Sequence, residues 1–145
     1  MPASVRYLLD SNVLSEQLKL APNPRVLEKI AVQHFDCATA SIVVMELYWG
    51  ADLLPAGKRR HLFTSTYDRC FKSADSMPVL PFDMQSALWA ASENARLQKL
   101  GQPRPWRDSQ IAAVAATQNL ILITRNVADF KPFKQLKIEN WFEAF

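Results

Sequence analysis

The chain has 145 residues, of which 49% are hydrophobic and 21% charged, a composition typical of one folded domain spanning residues 1–145. Its formal net charge of +3 permits a nucleic-acid partner without requiring one. The three glycines, Gly50, Gly57 and Gly101, cannot spell GxGxxG or GxxxxGK[ST]. This spacing excludes a glycine-rich loop that would bind phosphate through backbone amides.

Cysteine spacing and hydropathy exclude two further classes of protein. Cys37 and Cys70 lie far apart, and neither has a cysteine or histidine at the spacing of a metal ligand, so we expect two reduced thiols. The first residues lack the apolar segment of a secretory signal, and no apolar run approaches the roughly 18 residues that cross a bilayer. We therefore expect a cytoplasmic protein without a membrane segment.

Apolar periodicity predicts strands that alternate with helices along the chain. The predicted strands cover residues 5–9, 35–38, 77–81, 120–124 and, weakly, 136–138. The predicted helices cover residues 13–18, 26–30, 41–55, 57–73, 83–101 and 108–119, with Ser41 and Asp83 as N-caps. This alternation predicts a three-layer α/β/α fold with a central, mostly parallel sheet of four to five strands and right-handed crossovers.

Acidic residues follow two of the predicted strands. Ligands of such sheets bind beyond the carboxyl ends of the strands, which makes these acids candidates for a functional site. Asp10 ends the first strand, and Asn126 and Asp129 follow the fourth. Helix capping is the competing explanation for Asp10, and Asn126 and Asp129 also have the spacing of a capping box. Both explanations stay open at this point.

Two more acids lie in helices that are otherwise apolar. Glu46 shares a helical stripe with Ile42 and Gly50, so we expect it at the edge of the buried face. Asp108 opens a helix whose next inward positions are apolar or small, which would bring its carboxylate close to the sheet. Capping is again the alternative. Other acids, Glu93 among them, are expected at the solvated surface.

Convergence of Asp10, Glu46 and Asp108 in one crevice would require a neutralising charge. Two carboxylates about 5 Å apart repel by about 3 kcal/mol at an effective dielectric of about 20, and three such pairs would exhaust a typical folding free energy. Carboxylate oxygens suit Mg²⁺ or Mn²⁺, ions that promote in-line displacement at phosphorus. His34 and His61 have ordinary contexts, so a histidine mechanism has little support. We therefore predict hydrolysis of phosphodiester bonds.

Five sequence blocks occur in order along nearly the whole chain. They are LLDSNVLSE at 8–16, SIVVMELYWGA at 41–51, LPFD at 80–83, GQPRPWRDSQIAAVA at 101–115 and TRNVADF at 124–130. Each block is weak alone, but together they resemble the PIN-domain ribonucleases, in particular the VapC-type toxins and the related FitB-like branch. The resemblance implies a PIN-like fold and a metal-dependent endoribonuclease that acts as the toxin of a toxin–antitoxin pair.

The resemblance also implies which residues form the site. It carries the catalytic, metal-binding acids of the family onto Asp10, Glu46 and Asp108, which would hold Mg²⁺ or Mn²⁺. The fourth acid falls on either Asn126 or Asp129, and we favour Asp129 as an outer ligand or water positioner. Three polar residues match supporting positions of the family: Ser11, Asn12 and Thr124.

The partners implied by the resemblance are a second copy of the chain in a homodimer, a cognate antitoxin that inserts a segment near the acids, and structured RNA such as transfer or ribosomal RNA. Arg104, Trp106, Arg107 and Arg125 lie beside the proposed site and could contact phosphates or stack on a base. Trp106 could instead be a core or dimer residue.

Two other functions are consistent with this fold class. A catalytically silent PIN-fold module that binds RNA or protein would be expected to have lost carboxylates that this chain keeps. A phosphatase with Asp10 as nucleophile would usually have an acid at position 12, where this chain has Asn12. The ribonuclease is therefore the main hypothesis, with the silent module as the alternative.

Overall fold

The computed structural model describes residues 5–143 and contains a five-stranded sheet within that range. The strands are β1 (Tyr7–Leu9), β2 (Cys37–Ala40), β3 (Val79–Leu80), β4 (Ile121–Ile123) and β5 (Lys137–Glu139). Their order across the sheet is β3-β2-β1-β4-β5, and neighbouring strands are parallel. The predicted parallel sheet is confirmed, with β1 at its centre.

Helices connect the strands and cover both faces of the sheet, which confirms the three-layer α/β/α architecture. They are α1 (Ser11–Leu14), α2 (Pro24–Val32), α3 (Ser41–Asp52), α4 (Lys58–Lys72), α5 (Met84–Lys99), α6 (Trp106–Thr117) and α7 (Val127–Phe130), with 3₁₀ turns at Ser15–Leu18 and His34–Asp36. The predicted first helix is thus a short α-helix followed by a 3₁₀ turn. Among residues 5–143, no helix combines the length and apolar character needed to cross a membrane.

The second strand lies two residues later than its sequence predicts. Residues 35–38 were expected to form it, but His34–Asp36 form a 3₁₀ turn that leaves the Phe35 ring exposed. The strand is Cys37–Ala40, four fully buried residues with small side chains. A Phe ring carries a strong apolar signal wherever it lies, whereas the CATA sequence carries a weak one. The prediction was therefore wrong in its bounds.

Helix starts were expected at Ser41, Asp83 and Asp108, and two of these three require correction. Ser41 is the first helical residue of α3, because β2 runs directly into the helix and Ala40 takes the N-cap position. Helix α6 begins at Trp106, since the Pro105 carbonyl already accepts the Asp108 N–H at 3.0 Å. The third start is confirmed, because the Asp83 carboxylate accepts the Ser86 N–H at 2.8 Å.

Helix α6 is the most deeply buried helix near the sheet, with seven buried residues. The small side chains of Ala112 and Ala115 let its backbone approach strand β4, whose Leu122 has no exposed surface. This close packing places the first turn of α6 at the carboxyl ends of β4 and of its neighbour β1. The burial of α6 therefore determines where Asp108 lies.

Glu93 was expected at the surface, but it is buried and structural. Its two carboxylate oxygens accept hydrogen bonds from Nε and Nη2 of Arg96 at 2.7 and 2.9 Å. One of these oxygens also accepts a hydrogen bond from the Lys134 N–H at 2.7 Å. The bonds from Arg96 lower the pKa of Glu93 despite its burial. Because Lys134 lies 41 positions away, the local sequence gave no sign of this contact.

Helices α5 and α6 end in the same hydrogen-bonded turn, although one uses glycine and the other asparagine. Gly101 has φ 74° and Asn119 has φ 55°, both in the left-handed region. The closing bonds run from Gln102 N–H to Leu97 C=O at 2.8 Å and from Leu120 N–H to Ala115 C=O at 2.9 Å.

Substitutions in these two turns are expected to change the free energy of unfolding in opposite directions. We expect Gly101→Ala to lower the free energy of unfolding by about 1 kcal/mol, because a Cβ disfavours positive φ. Asn119→Gly should raise it by about 0.5 kcal/mol, because glycine adopts that conformation more easily. Urea denaturation of both variants measures the difference, and changes of the same sign would contradict the expectation.

Candidate active site

The site begins where the two central strands end. Asp10 follows β1 and Thr124 follows β4, and both are fully buried. The Asp10 N–H donates to the Ile123 carbonyl at 2.9 Å, and the Thr124 hydroxyl donates to Asp10 Oδ2 at 2.8 Å. The position of this carboxylate is therefore fixed by backbone and side chain together.

Asp10 also caps α1, so capping and a place in the site are not alternatives here. Its Oδ1 accepts the Ser11 N–H at 2.8 Å, and its Oδ2 accepts Asn12 Nδ2 at 3.3 Å. Asn12 in turn accepts the Arg125 N–H at 3.0 Å. The polar residues that the sequence marked as supporting thus hold Asp10 in place.

Glu46 and Asp108 reach the same place from two helices. Glu46 lies on α3 beside the buried Val43 and Leu47, at the edge of the buried face as predicted. Asp108 is the third residue of α6, with only 9% of its side chain exposed. Because Pro105 occupies the cap position, the capping explanation for Asp108 is wrong.

Arg107 joins these three carboxylates at its guanidinium group. Its Nε and Nη2 donate to the two Glu46 oxygens at 2.6 and 2.8 Å, while Nη2 also reaches Asp10 Oδ1 at 2.6 Å and Ser11 Oγ at 3.0 Å. Its Nη1 donates to Asp108 Oδ1 at 3.2 Å. Burial alone would lower the pKa of Arg107, but the bond with Glu46 and the charge of Asp10 outweigh it and raise that pKa.

Arg104 connects the fourth acid to the other three. Its Nη2 lies 3.1 Å from Asp108 Oδ2 and 3.1 Å from Asp129 Oδ1. The Asp129 side chain is 50% exposed, so this acid lies at the outer rim. The capping box proposed for Asn126 and Asp129 is not formed, because no side-chain bond caps α7 at Asn126. Of the two candidates for the fourth acid, Asp129 is the one that an arginine joins to Asp108.

We call Asp10, Glu46, Asp108 and Asp129 the acid cluster. Four carboxylates bound by two guanidinium groups leave a formal charge of −2. This surplus and the carboxylate oxygens fit a hard divalent cation in charge and chemistry. Within residues 5–143, however, no three histidine, cysteine or acidic side chains have the spacing of metal ligands. The oxygens are spaced for the guanidinium group of Arg107.

The bridge made by Arg107 was not foreseen from the sequence, which predicted that this residue contacts phosphates or stacks on a base. Its contacts with Asp10 and Glu46 span 97 and 61 positions along the chain, so no local sequence pattern indicates them. The one available signal was an arginine directly before a candidate acid, at the start of a helix. The Trp106 side chain is exposed, which rules out the core position considered for it.

Comparison with known proteins identifies the family. The PIN domain model matches residues 7–134, which is most of the chain. The chain belongs to the PIN domain family.

Two curated relatives and one solved structure extend over nearly the whole PIN domain. The VapC ribonuclease Y4jK of Sinorhizobium fredii is 34% identical over 94% of this chain and 99% of its own length. The tRNA(fMet)-specific endonuclease VapC of Salmonella typhimurium is 26% identical over 94% and 98%. The FitAcB structure from Neisseria gonorrhoeae has a TM-score of 0.84 and 28% identity, covering 95% of this chain and 99% of that one. Solved neighbours include VapBC and FitAB toxin–antitoxin complexes.

Proposed function

We propose that this PIN domain is a metal-dependent endoribonuclease that acts as the toxin of a toxin–antitoxin pair. The observation that carries the proposal is the acid cluster, whose surplus charge of −2 lies at the carboxyl ends of two central strands. The names of the relatives, which include ribonucleases and a tRNA endonuclease, support RNA as the substrate. Structured RNA, transfer or ribosomal, is the substrate class we propose.

The residues of the acid cluster would have different roles in phosphodiester hydrolysis. Mg²⁺ or Mn²⁺ held by Asp10, Glu46 and Asp108 would supply Lewis-acid stabilisation of charge on the phosphate. Thr124 keeps the Asp10 carboxylate fixed, with its hydroxyl 2.8 Å from Oδ2, so little reorganisation is needed during the reaction. Asp129 is exposed enough to orient a water molecule and accept a proton from it.

A cleavage assay with purified protein tests this proposal. Transfer and ribosomal RNA are incubated with the protein in Mg²⁺, in Mn²⁺ and in a chelator, and the new RNA ends are sequenced. We expect cleavage at defined positions that requires the metal. Cleavage that persists in the chelator would contradict the metal requirement. RNA binding without cleavage under all conditions would favour the catalytically silent module instead.

The proposal includes a cognate antitoxin as partner. Its support is that solved structures similar to this chain include toxin–antitoxin complexes. Co-expression with the cognate antitoxin should yield a stable complex whose RNA cleavage is suppressed. If the purified complex cleaved RNA as fast as the free protein, the proposal that the antitoxin blocks the acid cluster would be wrong.

We further propose a homodimer that uses the outer face of α3. Met45 and Trp49 on this helix and Leu53 at its C-cap repeat at four-residue spacing, and all three residues are exposed. A contiguous apolar stripe on a monomer surface suits a self-complementary interface related by a twofold axis. Each copy would present the same stripe to the other.

This interface predicts the effect of a charge placed at its centre. We expect Trp49→Glu to convert the dimer into a monomer, because two glutamates would be brought together in an apolar contact. Light scattering coupled to size-exclusion chromatography measures the change in mass. Leu100→Glu serves as the control, since Leu100 is equally exposed but lies at the end of α5. A monomeric wild-type protein would contradict the proposed dimer.

A further inference from the structure

Arg107 takes part in the acid cluster in a way that the proposed function does not explain. Phosphate-binding arginines are expected to point their guanidinium groups toward the substrate. The guanidinium of Arg107 instead donates to three acids of its own chain, and only 29% of the side chain is exposed. All three of its nitrogens take part in these bonds.

Arg104 offers a direct comparison, because it lies only three positions away and also binds acids. It contacts the buried Asp108 and the half-exposed Asp129 through a single nitrogen. Arg107 contacts Asp10, Glu46 and Asp108, the three acids proposed as metal ligands. The two arginines carry the same charge but occupy different positions relative to the proposed metal.

The guanidinium group and a divalent ion require the same oxygen atoms. Mg²⁺ binds carboxylate oxygens at about 2.0–2.1 Å, so it would have to lie among the oxygens that now accept hydrogen bonds from Arg107. Both bond distances to Glu46, 2.6 and 2.8 Å, leave no room for an ion between the two groups. Two cations in that space would also repel each other strongly. Occupancy by one therefore excludes the other.

We infer that Arg107 and the divalent cation alternate in the acid cluster, so that Arg107 determines how tightly this chain binds its metal. The inference rests on the proposed function for the identity of the cation. Arg107 can withdraw by rotating its side chain, because it lies in the first turn of α6 and its outer part reaches solvent. The metal site is closed while Arg107 is in place and open once it has withdrawn.

Mn²⁺ binding, measured by isothermal titration calorimetry on the whole chain, tests this inference without RNA. Removing Arg107 should tighten Mn²⁺ binding by about tenfold or more, since the metal no longer has to displace a bound cation. Arg107→Ala and Arg107→Gln are both measured, and circular dichroism establishes that each variant is folded. Thermal unfolding gives a second readout. Without metal, these variants should be less stable than the wild type, and Mn²⁺ should stabilise them more than it stabilises the wild type.

Arg104→Ala is the matched control, because it removes the same charge from the same cluster. It should tighten Mn²⁺ binding by only about two- to threefold, because it frees one oxygen of Asp108 and leaves Asp10 and Glu46 bound to Arg107. Equal affinities in the Arg107 and Arg104 variants, or no gain in the Arg107 variants, would overturn the inference and leave the metal site standing. Absence of Mn²⁺ binding in the wild type and all variants would overturn the metal site together with the inference.

Discussion

Replacement of Asp10 by asparagine is expected to reduce metal-dependent RNA cleavage by about 10³-fold or more while the fold remains intact. The single asparagine oxygen can still accept the Ser11 N–H that caps α1, a bond that now measures 2.8 Å. The amide nitrogen takes the place of Oδ2, where the Thr124 hydroxyl now donates, so this hydroxyl must rotate to accept instead. The substitution therefore removes the negative charge and keeps the side-chain size and the helix cap. Initial rates on labelled RNA measure the loss, and relief of growth arrest on induction gives a cellular readout.

Asp83→Asn is the matched control for this substitution. Asp83 also caps a helix, accepting the Ser86 N–H at 2.8 Å, but it lies at the start of α5 outside the acid cluster. Asparagine is a good N-cap, so this variant should keep both its stability and its rate of cleavage. Wild-type cleavage by the Asp10 variant would remove Asp10 from the catalytic site. Equal losses in both variants would point to a general effect of the substitution.

Much of the fold could be predicted because its signals are local. Strands β1 and β4 are apolar runs that end at polar residues, and the Asp83 cap marks the start of α5. Strand β2 was misplaced because its small side chains are buried by the packing of neighbouring elements, which hydropathy does not register. Tertiary packing decided the bounds wherever the local signal was weak.

The acids of the candidate site could be predicted for a different reason. Parallel strands bring their carboxyl ends to one edge, so Asp10 and the residues after β4 were expected at the same edge of the sheet. The pairing of β1 with β4, which the sequence did not predict, makes them neighbours. The sequence could not show which cation lies between them. The bond from Arg107 to Asp10 joins residues 97 positions apart and depends on how α6 packs against the sheet. For Glu93 the partner Arg96 is local, but the bond from the Lys134 N–H, 41 positions away, could not be seen in the sequence.

Asp108 and Asp129 share Arg104 but differ in burial, so substitution should separate their roles. The Asp108 side chain is 9% exposed and also contacts Arg107, whereas Asp129 is 50% exposed and lies at the rim. We expect Asp108→Asn to weaken Mn²⁺ binding by about tenfold or more and to abolish cleavage. Asp129→Asn should lower kcat by about 10- to 100-fold while Mn²⁺ affinity changes by less than about threefold, because a water positioner acts on the reaction and not on metal binding.

Measuring kcat and Mn²⁺ affinity separately distinguishes these outcomes. Asp75→Asn, which alters an exposed carboxylate outside the acid cluster, should leave both quantities unchanged. If Asp129→Asn weakened Mn²⁺ binding as much as Asp108→Asn, Asp129 would be a direct ligand. If Asp129→Asn changed neither kcat nor Mn²⁺ affinity, Asn126 would be the fourth site residue. Asn126→Ala should then lower kcat. The rim position of Asp129 and its bond to Arg104 at 3.1 Å favour the first expectation, in which kcat alone falls.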